Sequence, residues 1–337
     1  MRISDLRQTL RRLGAKPAHE WRLLSSWAQG RSLDRRHSLA RDFLPRAVIE
    51  AWPDLEQSLA GLVRLHSRHP AEDGAMRLLL ELADGQRIET VLLPRAGLCV
   101  STQVGCAVGC LFCMTGRDGL KRQLGSAEIL AQVMLGRSLR PVNKVVFMGM
   151  GEPAHNLDNV LEAIEVLGKE AGIGHKNLVL STVGDLRVFE RLAGQEVKPA
   201  LALSLHSTRD ECRRQLLPKA PQIPVQQLVE LAEDYARSSG YPIQYQWTLL
   251  AGVNDTLKEA QGIIRLLKGK YGVMNLIPYN SIAGLEWQRP DRQRIAELVQ
   301  LLQAGGVLTK VRQSAGQDVD GGCGQLWARE GMEARGQ

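Results

Sequence analysis

Cys106, Cys110 and Cys113 stand in the spacing C-x3-C-x2-C. Three thiolates at that spacing can hold three irons of a cubane 4Fe-4S cluster and leave the fourth iron open to a small ligand. Gly105 and Gly109 permit the tight backbone path that such a loop needs. The competing chemistry is structural zinc, which takes four Cys or His ligands, usually in two paired spacings. No second C-x2-C pair or nearby His completes that set here, so an iron–sulfur cluster is the favoured reading. The chain has six cysteines, four of them between Cys99 and Cys113. Without an export signal this crowding argues for metal or redox chemistry and against a disulfide framework. Cys323 lies between Gly322 and Gly324 in a polar segment with Gln317, Asp318 and Asp320. A free Cys is most often a small buried hydrophobe, and that setting makes Cys323 a poor one. Cys212, in Asp210-Glu211-Cys212-Arg213, reads as structural.

Strand–helix alternation after residue 98 must position these groups. Apolar runs predict strands over about 98–104, 144–148, 178–181, 200–205, 243–250 and 273–277. Helical spacing predicts helices over about 126–136, 157–169, 186–192, 225–238, 257–268 and 291–304. Such units call for a parallel sheet with right-handed crossovers, either an open doubly wound sheet or a partial barrel. The suggestive groups fall at strand C-terminal ends: the cysteine loop, Gly151-Glu152-Pro153, Ser181, His206 and Asn280. That edge hosts the active site in parallel α/β folds. Residues 1–50 have helical spacing and many basic groups, and read as a small helical domain that helps to place a partner. From Trp52 to Pro94 the texture turns to alternation, with Asp84-Gly85 as a hairpin signal. The expected domains are 1–50, 51–97 and 98–337.

The chain has 337 residues, 44% apolar and 23% charged, which are globular proportions. No apolar run approaches the roughly 18 residues of a membrane span, and a cytoplasmic protein without membrane contact is expected. The basic start (Arg2, Arg7, Arg11, Arg12) could be read as an organelle transit peptide, but Asp5 and the scarcity of Ser argue against that. A net charge of +7 favours a polyanionic partner. Arg117, Lys121, Arg122, His175, Lys176, Arg213, Arg214 and Lys219 are candidates to line its path.

Three further stretches narrow the reading: Leu98-Cys99-Val100-Ser101-Thr102-Gln103-Val104-Gly105-Cys106, Phe147-Met148-Gly149-Met150-Gly151-Glu152-Pro153 and Asp320-Gly321-Gly322-Cys323-Gly324-Gln325-Leu326. With the cysteine loop they resemble the RlmN/Cfr family of radical S-adenosylmethionine (SAM) RNA adenine methyltransferases, from about Ile88 to Leu326. The resemblance implies an α/β fold, a partial (β/α)6 radical-SAM barrel, with one 4Fe-4S cluster on Cys106, Cys110 and Cys113 and two SAM molecules per turnover. It implies SAM contacts at Gly151, Glu152, Ser181, Ser204, Leu205, His206 and Asn280, with Glu152 facing the SAM ammonium and Gly149 and Gly151 admitting the cofactor. Cys323 would accept a methyl group and, as a carbon radical, add to adenine. Cys99 would release the product by forming a disulfide with Cys323, and Glu89 would be the proton acceptor. The implied partners are an RNA substrate, 23S rRNA or also tRNA, and a protein reductant, with the enzyme a monomer.

The residues alone leave plainer readings open. Gly-Met-Gly-Glu-Pro can be a tight turn, a Ser or Asn at a strand end is commonly a local cap, and a lone His is commonly structural. Cys99 can be a buried strand residue and Glu89 a solvated one. Carbon 2 of adenine is the favoured target, with carbon 8 as in Cfr, or a radical-SAM reaction on another substrate, as alternatives. A non-catalytic RNA-binding protein with a structural metal is a third class.

Overall fold

The computed structural model describes residues 1–31 and 44–328. Parts of the expected first and last domains, residues 32–43 and 329–337, lie outside the described residues. Helix α1 (Ile3–Arg12) places Ile3, Leu6 and Leu10 on one buried stripe, with Asp5 in its first turn and Arg11 and Arg12 in its last, as the helix dipole favours. Helix α2 (Pro17–Ala28) opens on a proline, whose missing N–H costs nothing at a helix start. The apolar faces of both helices join the same continuous core as the sheet. The backbone N–H of Ile3 donates to Ser126 Oγ at 2.8 Å, tying the first helix to the main body.

Helix α3 (Arg46–Ala60) runs across the expected boundary at residue 50. The alternation anticipated from Trp52 therefore begins later, because Val48, Trp52 and Leu59 bury at helical spacing. Strands β1 (Val63–Pro70), β2 (Met76–Leu82) and β3 (Arg87–Leu93) form an antiparallel meander, with the β2–β3 turn at Asp84-Gly85 and Gly85 at φ 79°.

Strand β4 (Gly97–Cys99) pairs antiparallel with β3 and parallel with β7 (Lys144–Phe147). The strand expected over 98–104 is broken: β5 (Gln103–Gly105) leaves the sheet and pairs with β6 (Leu120–Gln123) in a separate ribbon. The cause is local. Ser101 Oγ donates to Glu89 O, and Gln132 Oε1 accepts the Ser101 N–H, so side chains satisfy backbone groups that a ladder would otherwise serve.

Beyond β7 the parallel order continues through β8 (Leu178–Thr182), β9 (Ala200–Ser204), β10 (Ile243–Leu249), β11 (Gly272–Pro278) and β12 (Thr309–Val311), closing a ten-stranded sheet. The short, half-exposed β12 extends the six anticipated parallel strands and carries no readable period. Helices α4 (Ser126–Leu139), α5 (Leu157–Lys169), α6 (Leu186–Ala193), α7 (Asp210–Leu216), α8 (Val225–Ser239), α9 (Leu257–Leu267) and α10 (Arg292–Ala304) fill the crossovers. The parallel run is that of a partial barrel. Among the described residues no helix is long and apolar enough to cross a membrane.

Strand register puts distant residues on one face. Val91 is opposite Cys99, Cys99 opposite Val146, Val146 opposite Val179, Ser181 opposite Ala202, Ser204 opposite Gln246, and Gln246 opposite Asn275. Because side chains alternate with period two, Glu89, Cys99, Ser181, Ser204, Gln246 and Asn275 share that face.

Candidate active site

The cysteine loop is positioned by backbone contacts. Cys106 N–H donates to Gly119 O at 3.1 Å, Leu111 N–H to Leu216 O at 3.1 Å and Lys219 N–H to Val108 O at 3.3 Å. Gly105 has φ 77°, and a side chain there would meet Gly119 O at 2.0 Å, so this position accepts only glycine. Helix α7 forms the outer wall: Cys212, Leu216 and Leu217 pack with Cys106, Val108 and Phe112. Cys212 thus has a packing role beside the loop.

Cys106, Cys110 and Cys113 are electrostatically coupled to one another. Burial first, and the neighbouring thiols second or later, push the Cys106 thiol up to about 12 and those of Cys110 and Cys113 upward. Buried thiols kept protonated are the state from which a bound cation takes protons. The three free thiols of this one loop suit three corners of a 4Fe-4S cluster, each thiolate on a separate iron.

The residues expected around SAM sit on the adjoining strand ends. Glu152, after β7, is 5% exposed. Its carboxylate accepts from Thr182 Oγ1 at 2.6 Å, Val183 N at 3.0 Å and Ala154 N at 3.1 Å. Burial raises its pKa to about 7 against those hydrogen bonds. A buried carboxylate in that condition gains by meeting an ammonium group.

On their Cβ sides Gly149 and Gly151 meet the protein's own chain. A Cβ on Gly149 would meet Val100 O at 2.7 Å, and one on Gly151 would meet the Gln103 side chain at 2.6 Å. Both glycines make room for the break between β4 and β5.

His206, after β9, adopts φ 60°, which is strained for a residue with a side chain. Its Nδ1 accepts from Thr248 N at 3.0 Å, leaving the ring proton on Nε2, and burial lowers its pKa to about 3. The ring meets Phe112 of the cysteine loop edge to face at 4.8 Å. Leu205 is fully buried, with its N–H on Gln246 O at 3.0 Å. Ser181 and Ser204 are half-buried on the shared face.

Asn280, just past β11, also serves the C-terminal loop. Its Nδ2 donates to Ser314 Oγ and to Cys323 O, each at 2.9 Å, so it holds the C-terminal loop. Its buried Oδ1 has no partner among the described residues and suits a hydrogen-bond donor from a ligand.

Cys99, Cys113 and Cys323 meet in one cavity of about 540 Å³, whose walls include Val91, Met148, Arg312 and Leu326. Cys323 is exposed and Cys99 buried, both as free thiols. The Cys99 thiol is pushed up to about 12, first by burial and then by Cys323, with the Arg312 charge opposing. A partly deprotonated Cys99 is therefore not the resting state.

Glu89 does not line this cavity. Its carboxylate is 2% exposed and pairs with Arg77, and its Oε2 accepts from Trp327 N at 2.6 Å and Ala328 N at 2.9 Å.

The candidate RNA-lining groups separate. Arg213 is buried, donating to Val183 O and Ser204 O, and Arg122 is paired with Asp84 and Glu128. His175 and Lys176 precede β8 and so lie at the strand N-terminal edge, away from the site. Gln246 and Asn275, buried polar residues on the site's face, escaped the sequence reading. Their position in alternating strands, polar where the face should be apolar, was the available signal.

Residues 100–267 match the model of the Radical SAM superfamily. The chain is 70% identical to a "Probable RNA methyltransferase" of Azoarcus sp. (strain BH72), covering 98% of this chain and 95% of that one. It is 66% identical to another of Pseudomonas paraeruginosa (strain DSM 24068 / PA7), covering 98% and 96%. Among solved structures it resembles a radical SAM methyltransferase from Sphaerobacter thermophilus, with a TM-score of 0.83, 32% identity and 98% of each chain covered.

Proposed function

The chain belongs to the radical SAM superfamily, in one family with these relatives, and on that premise we propose that it methylates carbon 2 of an adenine in 23S rRNA or tRNA through a methyl group carried on Cys323. The observation that carries the reading is the cavity where Cys99, Cys323 and the cluster-loop residue Cys113 meet. Two thiols beside the cysteine loop suit a methyl carrier and a partner that releases the product. The motif likeness to the RlmN/Cfr family supports the same assignment.

Cys106, Cys110 and Cys113 would hold the cluster. Glu152 would take the SAM ammonium, with the Nε2 proton of His206 and the Oδ1 of Asn280 as neighbouring donor and acceptor. When bound, cluster and SAM supply an electrophilic methyl group and a 5′-deoxyadenosyl radical. Cys323, exposed at the cavity, takes the methyl group on sulfur and gives up its thiol proton. That S-methyl would give a hydrogen atom to the 5′-deoxyadenosyl radical and bond through its carbon to the adenine ring. The ring radical would then lose one electron to an acceptor such as the oxidised cluster and its ring C–H proton to a base, restoring aromaticity. The detour is needed because this ring carbon is electrophilic and cannot attack the SAM methyl group itself.

Cys99 frees the product. Its thiolate attacks the Cys323 sulfur, an S–S bond forms and the S–C bond breaks, and the electron pair left on carbon takes up a proton to complete the methyl group. The buried Cys99 must first lose its own proton, and Arg312 is the cation placed to favour that.

Cys99→Ala tests this reading. It should accumulate a covalent protein–RNA adduct on gels under reductant with SAM, and free turnover by the variant would reject the resolving role. Nucleoside mass spectrometry of the RNA separates 2-methyladenosine from the 8-methyl isomer.

A further inference from the structure

Arg77 on β2 and Glu89 on β3 form an ion pair with side chains 4% and 2% exposed. In-register partners are Arg77 with Val91 and Leu79 with Glu89, so the two are diagonal neighbours on the face that carries Cys99. The pair reaches the C-terminal loop on both sides of Cys323. Arg77 Nε donates to Val319 O, while Glu89 Oε2 accepts the N–H groups of Trp327 and Ala328. Glu89 Oε1 is taken by Arg77. Neither residue lines the cavity that holds Cys99 and Cys323.

A carboxylate occupied in this way is poorly placed to take a proton from a base in the cavity. It is well placed to hold a loop. We propose that Arg77 and Glu89 are positioning residues that clamp both ends of the Cys323 loop, and that Glu89 governs turnover through the place of Cys323 and not through proton transfer. The proposal rests on the reading of Cys323 as methyl carrier. Removing one partner would bury an unpaired charge, whereas replacing both with apolar residues removes the clamp without that penalty.

The test compares wild type, Arg77→Met, Arg77→Lys and the double variant Arg77→Met/Glu89→Leu after anaerobic reconstitution. Hydrogen exchange over 314–328, transfer of labelled methyl from SAM to Cys323, iron content and the RNA KM are read on the same preparations. In wild type the Trp327 and Ala328 amides should exchange about 100-fold or more slower than unstructured amides. In the double variant that protection should vanish and Cys323 labelling should slow about 10-fold or more, equivalent to about 1.4 kcal/mol. Arg77→Met, which leaves Glu89 to accept both amides, should keep most of the protection, lose the Val319 end of the clamp and slow labelling less. Iron content and KM should stay within about twofold, and Arg77→Lys, which keeps one donor, should recover part of the rate.

Unprotected amides in wild type would overturn the proposal without any variant. So would variants that retain iron and label Cys323 at the wild-type rate. If wild type never labels Cys323, the methyl-carrier reading fails instead, and the exchange of the two amides still decides whether the clamp exists.

Discussion

The two loops that meet at the cavity are held by different kinds of bond. The cluster loop is fixed by backbone groups and close glycines, with Cys106 on Gly119 and Leu111 on Leu216. The Cys323 loop has a backbone tie to the cysteine loop, Met114 N–H to Gly324 O at 2.7 Å, but most of its holds are side chains from elsewhere: Asp73 to Gly316 N, Asn280 to Cys323 O, Thr115 to Leu326 O, and Arg77 and Glu89 at its ends. Backbone attachment gives a site that does not adjust. Side-chain attachment gives a loop that can be released by small changes, as the methyl-carrier role proposed for Cys323 requires.

The largest effects should separate the loops outright. Cys110→Ala should abolish both cluster assembly and SAM cleavage, measured as iron per chain and 5′-deoxyadenosine. Cys323→Ala should keep both and yield no methylated RNA. Loss of iron in Cys323→Ala would merge the two loops into one unit and break the contrast.

Two glycines sharpen it at the next level. A Cβ at Gly116 would lie 2.8 Å from Gly109 Cα, a backbone atom that cannot step aside, so Gly116→Ala should lower iron content severalfold. A Cβ at Gly322 would lie 2.6 Å from Gln325 Oε1 and 2.8 Å from Asn280 Nδ2, which are side-chain ends. Gly322→Ala should leave iron unchanged and slow the methylation of Cys323.

Asn280→Ala removes one donor shared between Ser314 and Cys323 O. A lost hydrogen bond of about 1 kcal/mol corresponds to roughly a fivefold slower Cys323 methylation at constant iron.

An effect on stability in place of rate is a pH dependence at Glu152. Its folded pKa, about 7, stands above the ordinary carboxyl value of 4.5. Between those values the ligand-free folded protein binds the extra proton, so its stability should fall as pH rises from 4.5 through 7. Glu152→Gln should flatten that part of the Tm-against-pH curve, and an unchanged slope would show that another group causes it.

The cysteine loop was legible as a candidate cluster site because its three thiols lie close together in the sequence. The parallel sheet was legible from strand–helix alternation, and Cys323 from its polar, glycine-flanked setting. What holds Cys323 was not, since Arg77, Glu89 and Asn280 are far away in sequence and become its partners only through register and loop closure. For the same reason Glu89 was read by resemblance as a proton acceptor, while its hydrogen bonds run to Trp327 and Ala328. The interruption at Ser101 escaped a periodicity reading because side chains, not an unfavourable apolar pattern, end the strand. The same interruption gives Gly149 and Gly151 a packing reason to be glycine that the sequence does not display.

The methyl-carrier role of Cys323 turns on where the transferred methyl group first rests. Anaerobically reconstituted protein given SAM labelled in its methyl group should, before RNA is added, carry the label on the peptide containing Cys323, and should pass it to RNA on completion of the reaction. Active protein that methylates RNA while Cys323 never acquires the label would contradict the account.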